Sequence, residues 1–410
     1  MNYRETFILL KNLFNQVQDV IPIPDSKLNF INLNFQSNNS YILPGASVYN
    51  CNKHNKVFYE KHHLDNKVYF RNSHESLKTE DCDIIENRNF RYTILKNKDN
   101  KKTKDYILLY HGLNEKYWTK YLPWAKKLVE LTGKAVILFP IAFHMSRAPA
   151  EWSKPKIMQL ISEKRKEHFT SIVDSTFANA AISARIQMLP QRFFWSGLQT
   201  YYDTVQLVNE IRNGNNPHID ENSDVGIFAY SIGSFLAEIL LMTNHENMFD
   251  KTKLFIFCGG PTIDRMYPVS KYILDSDANI ALYSFFIEHL ENEFKNDERL
   301  SHFFNEDHSA GKYFKSMLCY QKMKDLRERR FMQLKNQISA IALKKDEVIP
   351  PIEVLNVLQG DYRENPIKVS IYDLPFKYNH ISPFPNNSDI TDEVDYYFNK
   401  IFEIASAHLG

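Results

Sequence analysis

Five short apolar runs, each stopping at a turn residue or a helix start, constrain this chain more than any other feature. They are YILLYHG (106–112), KAVILFPIA (134–142), DVGIFAYS (224–231), KLFIFCGG (253–260) and ISAIALKKD (338–346). A strand with one wet face alternates apolar and polar residues. These runs do not alternate, so both of their faces must be covered, as in a parallel sheet wrapped by helices. A sixth run, PIKVSIYDLP (366–375), is more polar and suits an edge position. Helix-length segments separate the runs: 117–133, stopping at Gly133, then 198–214, 234–245, and 351–360, which opens on Pro351 and ends on Gly360. RNFRYTILKN and TKDYILLYHG flank a polar turn and predict an antiparallel start to the sheet. The fold class is therefore α/β, with a mostly parallel central sheet.

Two connections are too long for simple crossovers: about 143–197, and about 261–336, which is helical in pattern. Both leave from the carboxyl ends of strands, the edge where open α/β sheets bind ligands. The expected organisation is a core over 89–260 and 337–410, interrupted by a helical lid over 261–336. Residues 1–88, Asn-rich and turn-rich, are expected to form an N-terminal extension packed on that core.

The charge balance removes several function classes. A formal net charge of +1 provides no field to steer nucleic acid or an anionic membrane. The basic run from Lys322 to Lys335 is interleaved with Asp325 and Glu328 and reads as a solvated helix face. No Walker loop and no G-x-G-x-x-G follows any strand, so nucleotide binding has no support. Cys51, Cys82, Cys258 and Cys319 lie far apart without C-x-x-C spacing, which suggests neither zinc nor a disulfide framework. The first 18 residues carry Arg4, Glu5 and Lys11 and read as an amphipathic helix, not a signal peptide. No apolar run reaches transmembrane length. The expectation is a cytoplasmic enzyme without metal or cofactor, acting on a small molecule.

Chemistry concentrates at one point. The run 224–231 breaks at Tyr230-Ser231-Ile232-Gly233 and continues as a helix-like stretch, FLAEILLM. A serine on a sharp strand-to-helix turn is held in a strained conformation that projects its Oγ clear of the sheet. Residues two before and two after it must be small, and they are Ala229 and Gly233. A second Ser-x-Gly, at Ser309 in NEDHSAGKYF, has no buried strand before it and reads as a turn or helix cap.

These residues resemble the α/β-hydrolase fold over roughly 90–405. That resemblance implies a triad in the order serine, acid, histidine. Asp346 follows the strand ISAIALKK, with Glu347 as fallback and Asp373 as the weaker rival. His380 follows the last strand, in YDLPFKYNHISPF. It also implies an oxyanion hole from the backbone N–H of Ile232 and of Leu113, the latter in His111-Gly112-Leu113-Asn114. That loop departs from the HGGG form of some esterases, and His111 reads as structural. Asp346 also suits a helix N-cap. His144, Arg147 and Trp152, in FHMSRAPAEW, are candidates for the pocket wall; Arg147 could hold a substrate carboxylate or form a structural ion pair. The implied activity is cleavage of an ester or related acyl bond through an acyl-enzyme. An acyltransferase on the same triad and a non-catalytic ligand-binding protein are the alternatives.

Overall fold

The computed structural model describes residues 1–59, 77–305 and 307–410; the part of the N-terminal extension at 60–76 lies outside the described residues. The described residues form eleven strands: β1 (Val20–Pro22), β2 (Leu28–Gln36), β3 (Val48–Cys51), β4 (Lys56–Tyr59), β5 (Asn89–Asn97), β6 (Tyr106–Tyr110), β7 (Ala135–Leu138), β8 (Val225–Tyr230), β9 (Leu254–Phe257), β10 (Ile338–Leu343) and β11 (Lys368–Tyr372). Nine of them form one sheet in the order β1-β2-β5-β7-β6-β8-β9-β10-β11, while β3 and β4 pair as a separate hairpin. From β7 through β11 all neighbours are parallel. The five apolar runs are β6 to β10, buried at every position, and β11 is the half-exposed edge.

Continuous apolar sequence makes sense once both faces are considered. In β8, Ile227 and Ala229 point into a core shared with the helices Arg192–Arg212 and Ile232–Thr243. Phe228 and Tyr230 point the other way, toward the helices Leu122–Thr132 and Thr391–Leu409. On that second face Trp124 is fully buried, with ring contacts to Phe228, Tyr230, Phe257, Phe384 and Phe402. Truncating a ring held this way typically costs about 3–5 kcal/mol. Gly133 ends the helix Leu122–Thr132 in the left-handed conformation, φ 70°, that lets its N–H close on Val129.

One expectation is corrected. β5 and β6 are consecutive, but they do not form a hairpin. The crossover through Leu122–Thr132 brings β7 alongside β6, and β5 then pairs antiparallel with β7, Ile94 opposite Ile137. The N-terminal region also builds part of the sheet itself. β2 runs antiparallel to β5 over nine residues, Leu28↔Asn97 to Gln36↔Asn89, and β1 completes that edge.

The connection 143–197 carries the helices Pro155–His168 and Ala180–Met188 and the start of Arg192–Arg212. The connection 261–336 carries a series of short helices, among them Ser276–Tyr283, Glu298–Phe304, Ser309–Ser316 and Lys324–Gln333. Among the described residues no helix is long and apolar enough to cross a membrane.

Candidate active site

Between β8 and the helix Ile232–Thr243 the chain turns within a single residue. Ser231 has φ 55° and ψ −126°, a conformation that costs a side-chain-bearing residue on the order of 1–3 kcal/mol. Tight packing holds it there. A Cβ on Gly233 would lie 2.8 Å from the His111 carbonyl oxygen and 2.8 Å from Tyr110 Cβ, so the residue two after the serine has no room for a side chain. Gly259, just past β9, is equally required, since its Cβ would fall 1.9 Å from Ser234 Oγ.

Ser231 Oγ donates to His380 Nε2 at 2.7 Å, and His380 Nδ1 lies 2.7 Å from Asp346 Oδ2. A carboxylate only accepts, so the imidazole proton resides on Nδ1 and Nε2 is free to receive the serine proton. All three side chains are buried. The backbone of His380 is held by the Tyr230 hydroxyl, which donates to its carbonyl, and the Tyr230 ring stacks on the imidazole at 5.4 Å. Asp346 uses its two oxygens differently, and it is not the N-cap of the helix Pro351–Gln359, whose cap position is Pro350. Oδ2 takes the imidazole, while Oδ1 accepts from Val348 N–H at 3.0 Å and Ile349 N–H at 2.9 Å. Glu347 is exposed, and Asp373, also exposed, pairs with Lys344 and Lys345.

The loop after β6 abuts the serine: a Cβ on Gly112 would sit 3.4 Å from Ser231 Cβ. Three side chains fix this loop. His111 donates from Nδ1 to the Gly112 carbonyl and accepts the Ile141 N–H on Nε2, which is the structural role expected of it. The Tyr121 hydroxyl accepts the Gly112 N–H at 2.9 Å, and His144 Nε2 accepts the Asn114 N–H at 2.9 Å. The N–H groups of residues 112 and 114 are therefore occupied. That of Leu113, between them, finds no acceptor among the described residues. Ile232, in the first helical turn, likewise has no intrahelical acceptor for its N–H. Asn114 itself adopts φ 60°, a conformation asparagine tolerates, and this is how the loop turns without a run of glycines.

His144 and Trp152 line a cleft beside this loop, together with Arg185 and Arg192. Arg147 does not line it, and this expectation is corrected in favour of the ion pair. Its guanidinium is fully buried, donates to Asp203 Oδ2 at 2.7 Å and to Asn87 Oδ1 at 3.0 Å, and lies over the Phe90 ring. A charge removed from water this completely needs a partner within reach, and Asp203 occupies it. The cleft wall carries Lys116, which donates to the Trp152 carbonyl at 3.1 Å, and Arg185 and Arg192, which share the single carboxylate of Asp81. Sequence reading missed the two arginines because Asp81 is remote in the chain. An apolar trough continues the cleft, bordered by Leu113 and Ile232 and walled by Phe193, Phe235, Ile239 and Phe314. Ser309 is the first residue of the helix Ser309–Ser316, whose cap position is His308, so its reading as a cap is corrected.

Burial holds His144 down from 6.5 to about 4, so it is neutral at pH 7 and can accept the Asn114 N–H. Between those two values the unfolded chain binds a proton that the folded chain excludes. Stability is then full above about pH 6.5 and falls as the pH drops toward 4, by up to roughly 3 kcal/mol from this residue. Urea unfolding midpoints at pH 7 and pH 5 should show the decline; equal midpoints would contradict a neutral, buried His144.

Solved structures of related trace include a carboxyl esterase from the mycorrhizal fungus Tuber melanosporum, 11% identical, covering 79% of this chain and 82% of that one, with a TM-score of 0.43. A thermostable esterase from Pseudomonas putida is 11% identical over 78% of this chain and 80% of its own, at a TM-score of 0.39. A carboxylesterase from Lactobacillus plantarum is 9% identical over 77% and 90%, again at 0.39. No curated protein matches the chain. The model of one family matches from the first residue to the last, 1–410, and the chain therefore belongs to DUF6051, a family of unknown function.

Proposed function

We propose that this protein is a serine hydrolase of the α/β-hydrolase type that cleaves a carboxylic ester or related acyl bond. The observation that carries this reading is the chain Asp346–His380–Ser231, with both contacts at 2.7 Å and the serine at φ 55°. A serine hydroxyl is a weak nucleophile at neutral pH and becomes effective only when a neutral imidazole takes its proton. Ser231 Oγ attacks the acyl carbon, and its proton passes to His380 Nε2. The carbonyl oxygen gains the negative charge and is met by the N–H groups of Leu113 and Ile232. The bond to the leaving alcohol breaks as His380 returns the proton to it. Water, deprotonated by His380, then attacks the acyl-enzyme, the acid departs, and Ser231 recovers its proton. Asp346 holds the imidazole tautomer and balances the imidazolium charge throughout.

The apolar trough suits the acyl chain, since Leu113 and Ile232 border it and Phe193, Phe235 and Phe314 wall it. The other arm of the cleft, with two arginines sharing one aspartate, suits a polar or anionic leaving part. The helices of 261–336 contribute Ala310 and Phe314 to the trough and act in this reading as its lid. Hydrolysis of p-nitrophenyl esters of graded chain length tests the assignment. Phe235→Trp is expected to lower kcat/KM for longer acyl chains while sparing the acetate, and equal losses across the series would remove the trough as the acyl site. Added methanol should divert part of the acyl-enzyme to methyl ester. An acyl-enzyme that alcohols discharge and water does not would identify an acyltransferase.

A further inference from the structure

Away from the triad, the hairpin β3–β4 meets the helical segment formed by Glu298–Phe304 and the start of Ser309–Ser316 through four side chains that sequence spacing did not connect. Cys51 ends β3, His54 lies in the hairpin turn, His302 is on Glu298–Phe304, and His308 directly precedes Ser309–Ser316. One ligand-capable atom from each lies within 4.8 Å of the other three. Cys51 Sγ is 3.5 Å from His54 Nδ1 and 3.5 Å from His308 Nε2, and the Nε2 atoms of His308 and His302 are 3.0 Å apart.

These separations suit a coordination shell. With Zn–S near 2.3 Å and Zn–N near 2.05 Å, a tetrahedron has S···N edges of about 3.6 Å and N···N edges of about 3.3 Å. The surroundings also suit one. Cys51 and His308 are buried; the Phe303 ring stacks on His308 at 4.7 Å, and Phe58 lies 5.0 Å from His302. Lys53 donates to the Asp307 carbonyl, and Lys56 pairs with Glu298 at 2.7 Å, so the two segments are already in register. A two-stranded hairpin standing apart from the main sheet is marginal alone and gains most from a staple of this kind.

We propose that Cys51, His54, His302 and His308 bind a zinc-type divalent cation in a closed, structural site that clamps the hairpin to the helical segment. Four protein ligands leave no position for a substrate or a reactive water, so the site is not catalytic. Thiolate with imidazoles in a tetrahedral arrangement selects zinc over the hard cations magnesium and calcium. On binding, the Cys51 S–H bond breaks, its proton goes to solvent, and a metal–sulfur bond forms. The clamped segment continues into the helix that carries Ala310 and Phe314, so the ion would fix one wall of the trough.

The test uses the full chain, stripped with a chelator and titrated with Co²⁺ as a spectroscopic substitute for Zn²⁺. The expected result is one equivalent bound per chain, with the intense visible bands of tetrahedral cobalt and a near-ultraviolet thiolate-to-cobalt band, both abolished by added Zn²⁺. Cys51→Ser should remove the thiolate band, and the pair His302→Gln and His308→Gln should remove uptake and the rise in Tm that Zn²⁺ gives the wild type. Where a variant does not fold, the wild-type spectrum decides alone. A spectrum with no thiolate band and only the weak absorption of octahedral cobalt would overturn the proposal and leave a hydrogen-bonded Cys–His cluster. Since the readout is metal binding, it stands or falls separately from the esterase reading.

Discussion

Ser231→Ala should reduce kcat on any accepted ester by on the order of 10⁴- to 10⁶-fold, equivalent to about 5–8 kcal/mol of transition-state stabilisation. The loss has one cause: the alanine methyl cannot attack the acyl carbon, and His380 then has no proton to relay. The fold should scarcely notice. Ser231 lies at the rim of a packed turn, and alanine keeps the Cβ that the turn already accommodates. Ser231→Gly separates chemistry from strain. It should be as inactive as the alanine variant yet more stable than it by about 1–3 kcal/mol, because glycine occupies φ 55° without steric cost. Equal unfolding midpoints for the two would mean that the elbow carries no strain.

Asp346→Asn should lower kcat by on the order of 10⁴-fold with little change in KM. The geometry explains why the amide cannot turn to avoid this. Val348 and Ile349 both direct N–H groups at Oδ1, so the asparagine oxygen must remain there to accept them. Its NH₂ then takes the place of Oδ2 and points at His380 Nδ1. A donor facing Nδ1 drives the imidazole proton to Nε2, the atom that must accept from Ser231. Asp346→Ala, which also leaves the two backbone amides without an acceptor, should cost stability as well as rate. If Asp346→Asn kept near-normal kcat, Asp346 would be only a cap for the turn at 346–349.

Much of this arrangement was legible in the sequence because it depends on local pattern. Buried parallel strands read as unbroken apolar runs, and the elbow needs a small residue on either side of the serine within a few positions. Asp346 and His380 were singled out because the resemblance to the α/β-hydrolase fold implies an acid and a histidine after the last two strands, the buried β10 and the more polar edge strand β11. What sequence concealed depends on tertiary pairing. β2, LNFINLNFQ, is a nine-residue strand whose asparagines resemble loop residues; Asn32 is buried because it bonds Thr93 and the carbonyls of Asn15 and Gln18. β5 and β6 looked like a hairpin because neighbours in sequence usually pair, and only the crossover to β7 separates them. Arg147 and Arg185 look alike as isolated letters, and their difference lies in their carboxylates: Asp203 serves Arg147, whereas Asp81 is divided between Arg185 and Arg192. The Cys51–His54–His302–His308 cluster joins two halves some 250 residues apart, so no spacing rule could expose it.

If Ser231 is an activated nucleophile, a fluorophosphonate should label it. Wild type and Ser231→Ala would be exposed to the probe side by side and read by intact mass. A single adduct is expected on the wild type, formed with loss of fluoride, and none on the variant. Folded wild-type protein that stays unlabelled, or a variant that labels equally well, would contradict an activated Ser231.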